Sequence, residues 1–387
     1  MMRLPGKIGM LAVGALVLCA GCGSTKAPSP AAASRAALPQ AMSLAESAAT
    51  SQATWAVLPM GAKSGPNEFW QLFLLTANSH QWKLDTPPDV ATNGAPALAG
   101  LAGPGLIAGV RPSLYLSFSP VSRTSDAGKT WNAGPPAPGL ASVPDALAAT
   151  PGGSQMLALS KSGRVASAAA TSSEWRGLVT EQSLAASAAG RACGLTALTA
   201  VAYATAATPL VAGDCGKPGV AGIFARSGSS WRAAGPTLPA ALSGTKVRVL
   251  RLVASSSGTV ALLQTGTGGA ARLVAGWRSD SGQWTLSPAL MLAGSAVRSA
   301  AFGDAGAAAV LLTSGSGATI SGPSGAWRQT PTVPAAPSAT LALPASGQVD
   351  ALTAAGGTLT VWQLDQTGAA WTRAQTVKVP IQYGSSH

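Results

Sequence analysis

The sequence predicts an all-β chain folded as a seven-bladed β-propeller of four-stranded antiparallel blades. Three observations carry that expectation. Tryptophans preceded by a short polar turn recur at Trp82, Trp131, Trp175, Trp231, Trp284, Trp327 and Trp371, at separations of 49, 44, 56, 53, 43 and 44 residues. A period of that size held over seven units is the mark of a repeat architecture. Between the tryptophans lie short apolar runs divided by Gly-, Ser- and Pro-containing turns, and the clearest intervals hold four of them, the size of one propeller blade. Charged residues are only 10% of the 387, too few for helices laced with ion pairs, whereas 46 glycines and 28 prolines suit a chain that turns often. That Gly and Pro density argues against a helical solenoid, the rival at this period. Six or eight blades stay open as alternatives, depending on how the weaker intervals 95–131 and 145–175 are divided.

The clearest interval is 246–288, with strands at Val247–Ala254, Thr259–Thr265, Ala271–Arg278 and from Trp284 onward. The next two repeat the scheme, from Val297 and from Thr340. Runs such as Leu72–Leu75 are apolar without alternation, as expected of strands covered on both faces. The first unit offers only Thr54–Met60, Phe69–Thr76 and Trp82–Leu84, with no innermost strand before them. Thr376–Tyr383 is left over after the last tryptophan. The two defects complement each other, so the ring is predicted to close through the C-terminal strand, which would complete the first blade.

Ahead of the repeats, Met1–Leu18 carries Arg3 and Lys7 and then the apolar run Ile8–Leu18, the n- and h-regions of a secretory signal. Ala20-Gly21-Cys22 follows and looks like a bacterial lipobox, although Cys19 stands where that motif usually has Leu. The resemblance implies a signal peptide over 1–21, lipidation at Cys22 and a protein held on the outer face of a cell membrane. Residues 22–51 are rich in Ala, Ser and Pro and read as a tether, with Met42–Ala49 as a short helical turn in which Ser43 and Glu46 have capping-box spacing. The propeller domain then occupies 52–387. After maturation Cys193 and Cys215 remain. In an exported chain such a pair reads as a disulfide, and the hairpin formed by Leu195–Ala204 and Pro209–Asp214 folds one opposite the other.

The turn Thr124-Ser125-Asp126-Ala127-Gly128-Lys129-Thr130-Trp131 has a chemistry of its own. Asp126 can accept from backbone amides two residues on, Gly128 supplies a position of positive φ, Thr130 leads into the next strand, and Trp131 can cover the hairpin. This octet resembles the Asp-box, or BNR repeat, of sialidase-like propellers, and degenerate copies precede Trp231, Trp284, Trp327 and Trp371. The resemblance implies a structural role at a peripheral hairpin. It does not extend to the sialidase active site, which uses an arginine triad, a Tyr/Glu pair and a further acid. Here the tyrosines are Tyr115, Tyr203 and Tyr383, and no Arg-Ile-Pro motif precedes the first blade.

The mature chain, from Cys22 onward, has 23 basic and 13 acidic residues, a formal charge of +10. Such a balance favours anionic surfaces. Nucleic acid is excluded by the compartment and by the lack of a basic cluster interleaved with aromatics. Lys83, Arg176, Arg232, Arg328 and Arg373 follow the repeat tryptophans and read as protection of outer strand edges. Two histidines, His80 and His387, leave nothing for a three-His metal site or a Ser–His–Asp triad. The sequence therefore predicts no catalytic residue, no metal and no cofactor. The expected function is non-enzymatic binding or scaffolding by an anchored propeller. Other Asp-box propellers bind polypeptides, so a protein partner is expected first; a glycan or cell-wall polymer is the alternative, and a divergent glycoside hydrolase comes third. Candidate mouth residues are Arg248, Arg251, Arg298 and Asp304. A convergence of acids and arginines in the central channel would count against a passive docking surface.

Overall fold

Each interval folds as an antiparallel meander of four strands, and seven such sheets form the blades of a β-propeller. The computed structural model describes residues 46–60, 69–88, 95–101, 103–111, 118–141, 143–172, 174–204, 208–256, 258–303, 305–335, 339–355 and 357–379. Blade one is built from Ser47–Ala49, Ala53–Met60, Phe69–Thr76 and Lys83–Leu84. Blade two has Ala95–Gly100, Leu106–Arg111, Phe118–Thr124 and Asn132–Pro138. Blade three has Leu147–Ala149, Gln155–Leu159, Arg164–Ala169 and Arg176–Thr180. Blade four, reached through the short helices Glu181–Ala185 and Ala188–Cys193, has Leu195–Tyr203, Pro209–Cys215, Gly222–Ser227 and Ser230–Ala233. Blade five has Val247–Ser255, Gly258–Thr265, Arg272–Arg278 and Trp284–Leu286, with Leu290–Met291 as a further short strand against the third. Blade six has Val297–Phe302, Ala308–Leu312, Gly317–Ile320 and Arg328–Thr330. Blade seven has Thr340–Ala342, Asp350–Ala355, Thr358–Leu364 and Trp371–Lys378.

The core is a series of layers between neighbouring blades. Val260 and Leu262 of blade five pack with Ala300 and Val310 of blade six, and Leu311 of blade six packs with Leu341 and Ala351 of blade seven. This explains the unalternating apolar runs: Leu72, Phe73 and Leu74 are all buried because both sheet faces are covered. Each such side chain contributes about 1.5–3 kcal/mol relative to an exposed position. Prolines 135, 136 and 138 are tolerated in blade two because they lie on its outermost strand, where a missing N–H breaks no ladder.

The ring does not close as predicted. Trp371–Lys378 pairs along its length with Thr358–Leu364, so it is blade seven's own outer strand. The innermost strand of blade one is Ser47–Ala49, paired with Thr54–Ala56. The expected helical turn over Met42–Ala49 is therefore overturned at its described end, and the propeller begins ahead of residue 52, by Glu46. The physical reason is that Ser47–Ala49 needs little strand propensity of its own when its partner strand and the neighbouring blades fix it. Residues 380–383 of the predicted closing strand lie outside the described residues. Closure is made by side chains. The Gln375 amide accepts from the Trp82 N–H at 2.7 Å and donates to the Trp82 carbonyl at 2.9 Å. The Trp82 indole N–H donates to Asp350 at 2.8 Å, and the Thr340 hydroxyl donates to the Val57 carbonyl at 2.7 Å.

Three of the repeat tryptophans share one task. Trp284 donates its indole N–H to the Ala234 carbonyl at 2.7 Å, Trp327 to the Ser287 hydroxyl at 3.1 Å, and Trp371 to the Pro331 carbonyl at 3.0 Å. Each acceptor follows the preceding blade's tryptophan by three or four residues, so each ring staples its blade to the one before. Trp82 does the same across the closure. Trp131 lies edge-on to Trp55 of blade one, with ring centroids 5.7 Å apart, and does not simply cover its own hairpin. Trp175 and Trp231 pack against the layers of blades two to four.

Within the octet Asp126 is the acceptor, as expected, but the amide it takes is that of Thr130, four residues on, because the Gly128 amide two residues on is held by the Thr124 hydroxyl. Asp126 accepts from the Thr124 hydroxyl at 2.8 Å, the Thr130 amide at 2.9 Å and the Thr130 hydroxyl at 2.6 Å, while the Gly128 amide donates to the Thr124 hydroxyl at 2.9 Å. Gly128 has φ +76°, and a Cβ there would strike the Asp85 carboxylate. The bonds from Thr130 hold the Asp126 carboxyl down at a pKa of about 2. Cys193 and Cys215 form the expected disulfide, with Cα atoms 5.3 Å apart across the Leu195–Cys215 pairing.

Candidate functional site

All seven inner strands run the same way along the axis, because each blade repeats the same meander. One face, the leading face, carries the starts of the inner strands. The other, the mouth face, carries their ends and the Thr124–Trp131 turn. A cavity of about 300 Å³ lies on the axis. Its walls are the ends of inner strands and the turns after them: Ala48–Ser51, Ala99–Leu101, Ala148–Pro151, Val253–Ser256 and Phe302–Gly303. It therefore opens on the mouth face. The lining is mostly small, so the walls present Cβ atoms, hydroxyls and backbone.

Asp145 and Arg251 line the cavity, and Glu46 and Arg111 join them in a buried charged group. Glu46, Arg111, Asp145 and Arg251 are 1, 2, 4 and 4% exposed and come from blades one, two, three and five. Arg111 pairs with Glu46 and donates to the Pro144 carbonyl at 2.6 Å. Arg251 places Nε 2.6 Å from Asp145 Oδ1 and Nη1 3.8 Å from Glu46 Oε1. Glu46 also accepts from the Leu98 amide at 3.0 Å, and Asp145 from the Leu252 amide. Those amides belong to inner strands, whose axial side has no neighbouring strand to take them, so a side-chain acceptor fills the gap. Two acids and two guanidinium groups thus form a neutral plug across the axis. Burial raises the pKa of Asp145 to about 7 and pushes Glu46 up as well, against the pull of the arginines. The Arg251 guanidinium also lies 5.9 Å from the centroid of the Phe302 ring.

Of the residues singled out in the sequence, Arg251 lines the cavity. Arg248 lies one turn of the pleat nearer the leading face and pairs with Asp214 of blade four at 3.7 Å. Arg298 starts blade six's inner strand, half-buried, and burial draws its pKa below the ordinary guanidinium value. Asp304 and Cys22 lie outside the described residues. Glu46, Arg111 and Asp145 were missed. The available signal was chemical scarcity: in so weakly charged a chain, an acid at the edge of an Ala-rich inner strand has few reasons to be there except a buried partner. Among the described residues, no group of three His, Cys, Asp or Glu is arranged to hold a metal ion.

No protein-family model matches the sequence, and no curated protein sequence does. Solved structures do resemble the fold. The GH74 xyloglucanase from Xanthomonas campestris aligns at a TM-score of 0.53 and 14% identity, over 84% of this chain and 52% of that one. A protein from Bacteroides fragilis NCTC 9343 assigned as a 6-phosphogluconolactonase aligns at 0.51 and 12%, over 85% and 95%. YCF48 from Cyanidioschyzon merolae aligns at 0.44 and 13%, over 80% and 88%. The likeness is one of fold.

Proposed function

We propose that this protein is a non-enzymatic binding propeller on the outside of a cell membrane, anchored through a lipid on Cys22, that receives a segment of a protein partner in its axial mouth. The observation that supports the reading is the state of the charges beneath the mouth. An acid–arginine convergence in the channel is what an active site would require, and this one has the composition of one. Its charges, however, are spent on one another. Glu46 is walled off from the cavity by its bonds to Arg111 and Leu98, so only Asp145 reaches the floor, and hydrolysis of a glycosidic bond needs two carboxyls in reach. What remains accessible is a shallow ring of hydroxyls and backbone groups, suited to hydrogen-bonding an extended chain. The turn at Thr124–Trp131 keeps the chain's resemblance to Asp-box propellers, as a structural hairpin on the same face.

The test uses a photo-reactive phenylalanine analogue at Ser51, on the mouth, in the full-length chain in its own membranes, with Thr372 on blade seven's outer strand as control. The expected result is one specific polypeptide adduct from Ser51 and none from Thr372. Salt-sensitive retention on a carbohydrate array with no adduct would favour a glycan instead. Turnover of a glycoside that Asp145→Asn abolishes would make the protein a hydrolase. Acylation is read separately, as the mass of the mature N-terminal peptide and its loss in Cys22→Ala.

A further inference from the structure

The two faces of the ring differ in charge. On the mouth face the cations beside the repeat tryptophans are interspersed with Asp85, Asp126, Glu174, Asp280 and Asp365. The leading face is different. Lys161 and Arg164 of blade three, Arg191 and Lys217 around blade four, Lys246 ahead of blade five and Lys378 at the end of blade seven are all exposed there. Half-buried Arg248, Arg272 and Arg298 stand at strand starts on the same side. Among the described residues, the acids on this face outside the neutral plug are Glu181 and Asp214. Asp214 is already paired with Arg248, and Glu181 accepts from the Leu198 amide at 3.1 Å. Among the described residues each face carries nine Lys and Arg, but five acids offset them on the mouth face and only two on the leading face, which therefore has the larger net positive charge.

That side is also where the N-terminal chain arrives. Glu46 and Ser47 begin the innermost strand of blade one, so the described chain enters the propeller from the leading face, close to the axis. Cys22 is 24 residues upstream, a length that spans at most about 80 Å when fully extended. An anchor there would hold this face toward the bilayer and turn the mouth away from it. We propose that the leading face is a membrane-facing surface resting on anionic phospholipid headgroups, with the mouth face presented outward. This rests on the lipid-anchored reading for its geometry, while the charge asymmetry stands independently of it. The physical sense is two-signal anchoring. One acyl attachment and one basic surface act together, and the surface works only within about 8 Å of the headgroups at physiological salt.

The experiment uses full-length Cys22→Ala protein, so that no acyl chain contributes, and phosphatidylcholine vesicles with or without phosphatidylglycerol. Two fourfold charge reversals are compared: Arg191, Lys217, Lys246 and Lys378 to Glu on the leading face, and Lys83, Lys129, Arg232 and Arg328 to Glu on the mouth face. All eight side chains are exposed, and circular dichroism confirms folding. Binding to phosphatidylglycerol vesicles is expected to fall about tenfold or more in the leading-face variant and to change much less in the mouth-face variant. Raised salt should remove the preference for anionic vesicles. Equal losses in the two variants would mean that net charge alone acts, and would overturn the proposal. So would the absence of any preference for phosphatidylglycerol, including the case where a soluble polyanion binds and vesicles do not. The acyl mass at Cys22 in the native protein reports separately. A leading-face effect without acylation sinks the anchor and keeps the surface, whereas acylation without a leading-face effect does the reverse.

Discussion

The blades are joined twice, at the rim and at the axis, by opposite chemistry. At the rim, indole rings donate single neutral hydrogen bonds to the preceding blade, and the pattern repeats from blade to blade with a spacing set by the chain. At the axis, one acid or arginine from each of four blades enters a single buried network with no repetition at all. A rim bond fails locally. The axial network couples blades one, two, three and five at once, and removing one member leaves a buried ionisable group without its partner. The comparison suggests that the rim sets the spacing of the ring and the axis fixes which blades meet across it.

The sharpest way to break the comparison is Arg251→Ala. It strands Asp145 in the interior, leaves Glu46 with Arg111 alone, and should lower the unfolding free energy by about 3–5 kcal/mol in a denaturant titration. Replacing the whole network with neutral residues of similar shape should return most of that loss, since buried ion pairs exchange well for apolar packing. Next comes the disulfide. Cys193→Ser with Cys215→Ser opens a loop with a sequence separation of 22 and should cost about 3 kcal/mol. The rim staples are weaker. Trp284→Phe or Trp371→Phe keeps a ring but leaves the Ala234 or Pro331 carbonyl without its donor, for a loss of about 1 kcal/mol each.

The axis can also be read from pH. With its folded-state pKa raised to about 7, Asp145 binds a proton in the native state over a range where the unfolded chain has released it. Its contribution is therefore fully present below about pH 4, the ordinary carboxyl value, and is lost as pH rises through about 7. Melting temperature should decline over that window, and Asp145→Asn should flatten the decline. Asp126 has the opposite sign. Its lowered pKa stabilises the native state above the ordinary carboxyl value and is lost as pH falls toward 2, so Asp126→Asn should alter only the acid end of the profile.

The same contrast explains what could be read from the sequence. The tryptophans were legible because all seven stand at the start of a blade's fourth strand, and their spacing identified the blades. The disulfide was legible because its cysteines bracket one hairpin, Cys193 just ahead of its first strand and Cys215 at the end of its second. Glu46, Arg111, Asp145 and Arg251 occur once each and meet across the axis, with Asp145 and the Leu252 amide 107 residues apart, so no window of sequence contains their relationship. Ser47–Ala49 escaped notice because three small residues carry no strand signal. With that strand unseen, the leftover C-terminal segment took its place in the predicted closure. The charge asymmetry of the faces was equally hidden. The basic residues were visible, but sorting them required the direction of every strand.

One measurement bears most directly on the reading of the axis as support and not as chemistry. It is the yield of the polypeptide adduct from the Ser51 photo-probe in a chain carrying Glu46→Gln, Arg111→Met, Asp145→Asn and Arg251→Met together. Folding should survive, and the adduct should form at the wild-type yield, because the ligand meets the ring of hydroxyls and backbone above the plug. A folded protein that has lost the adduct would contradict the account and make the buried charges themselves the binding site.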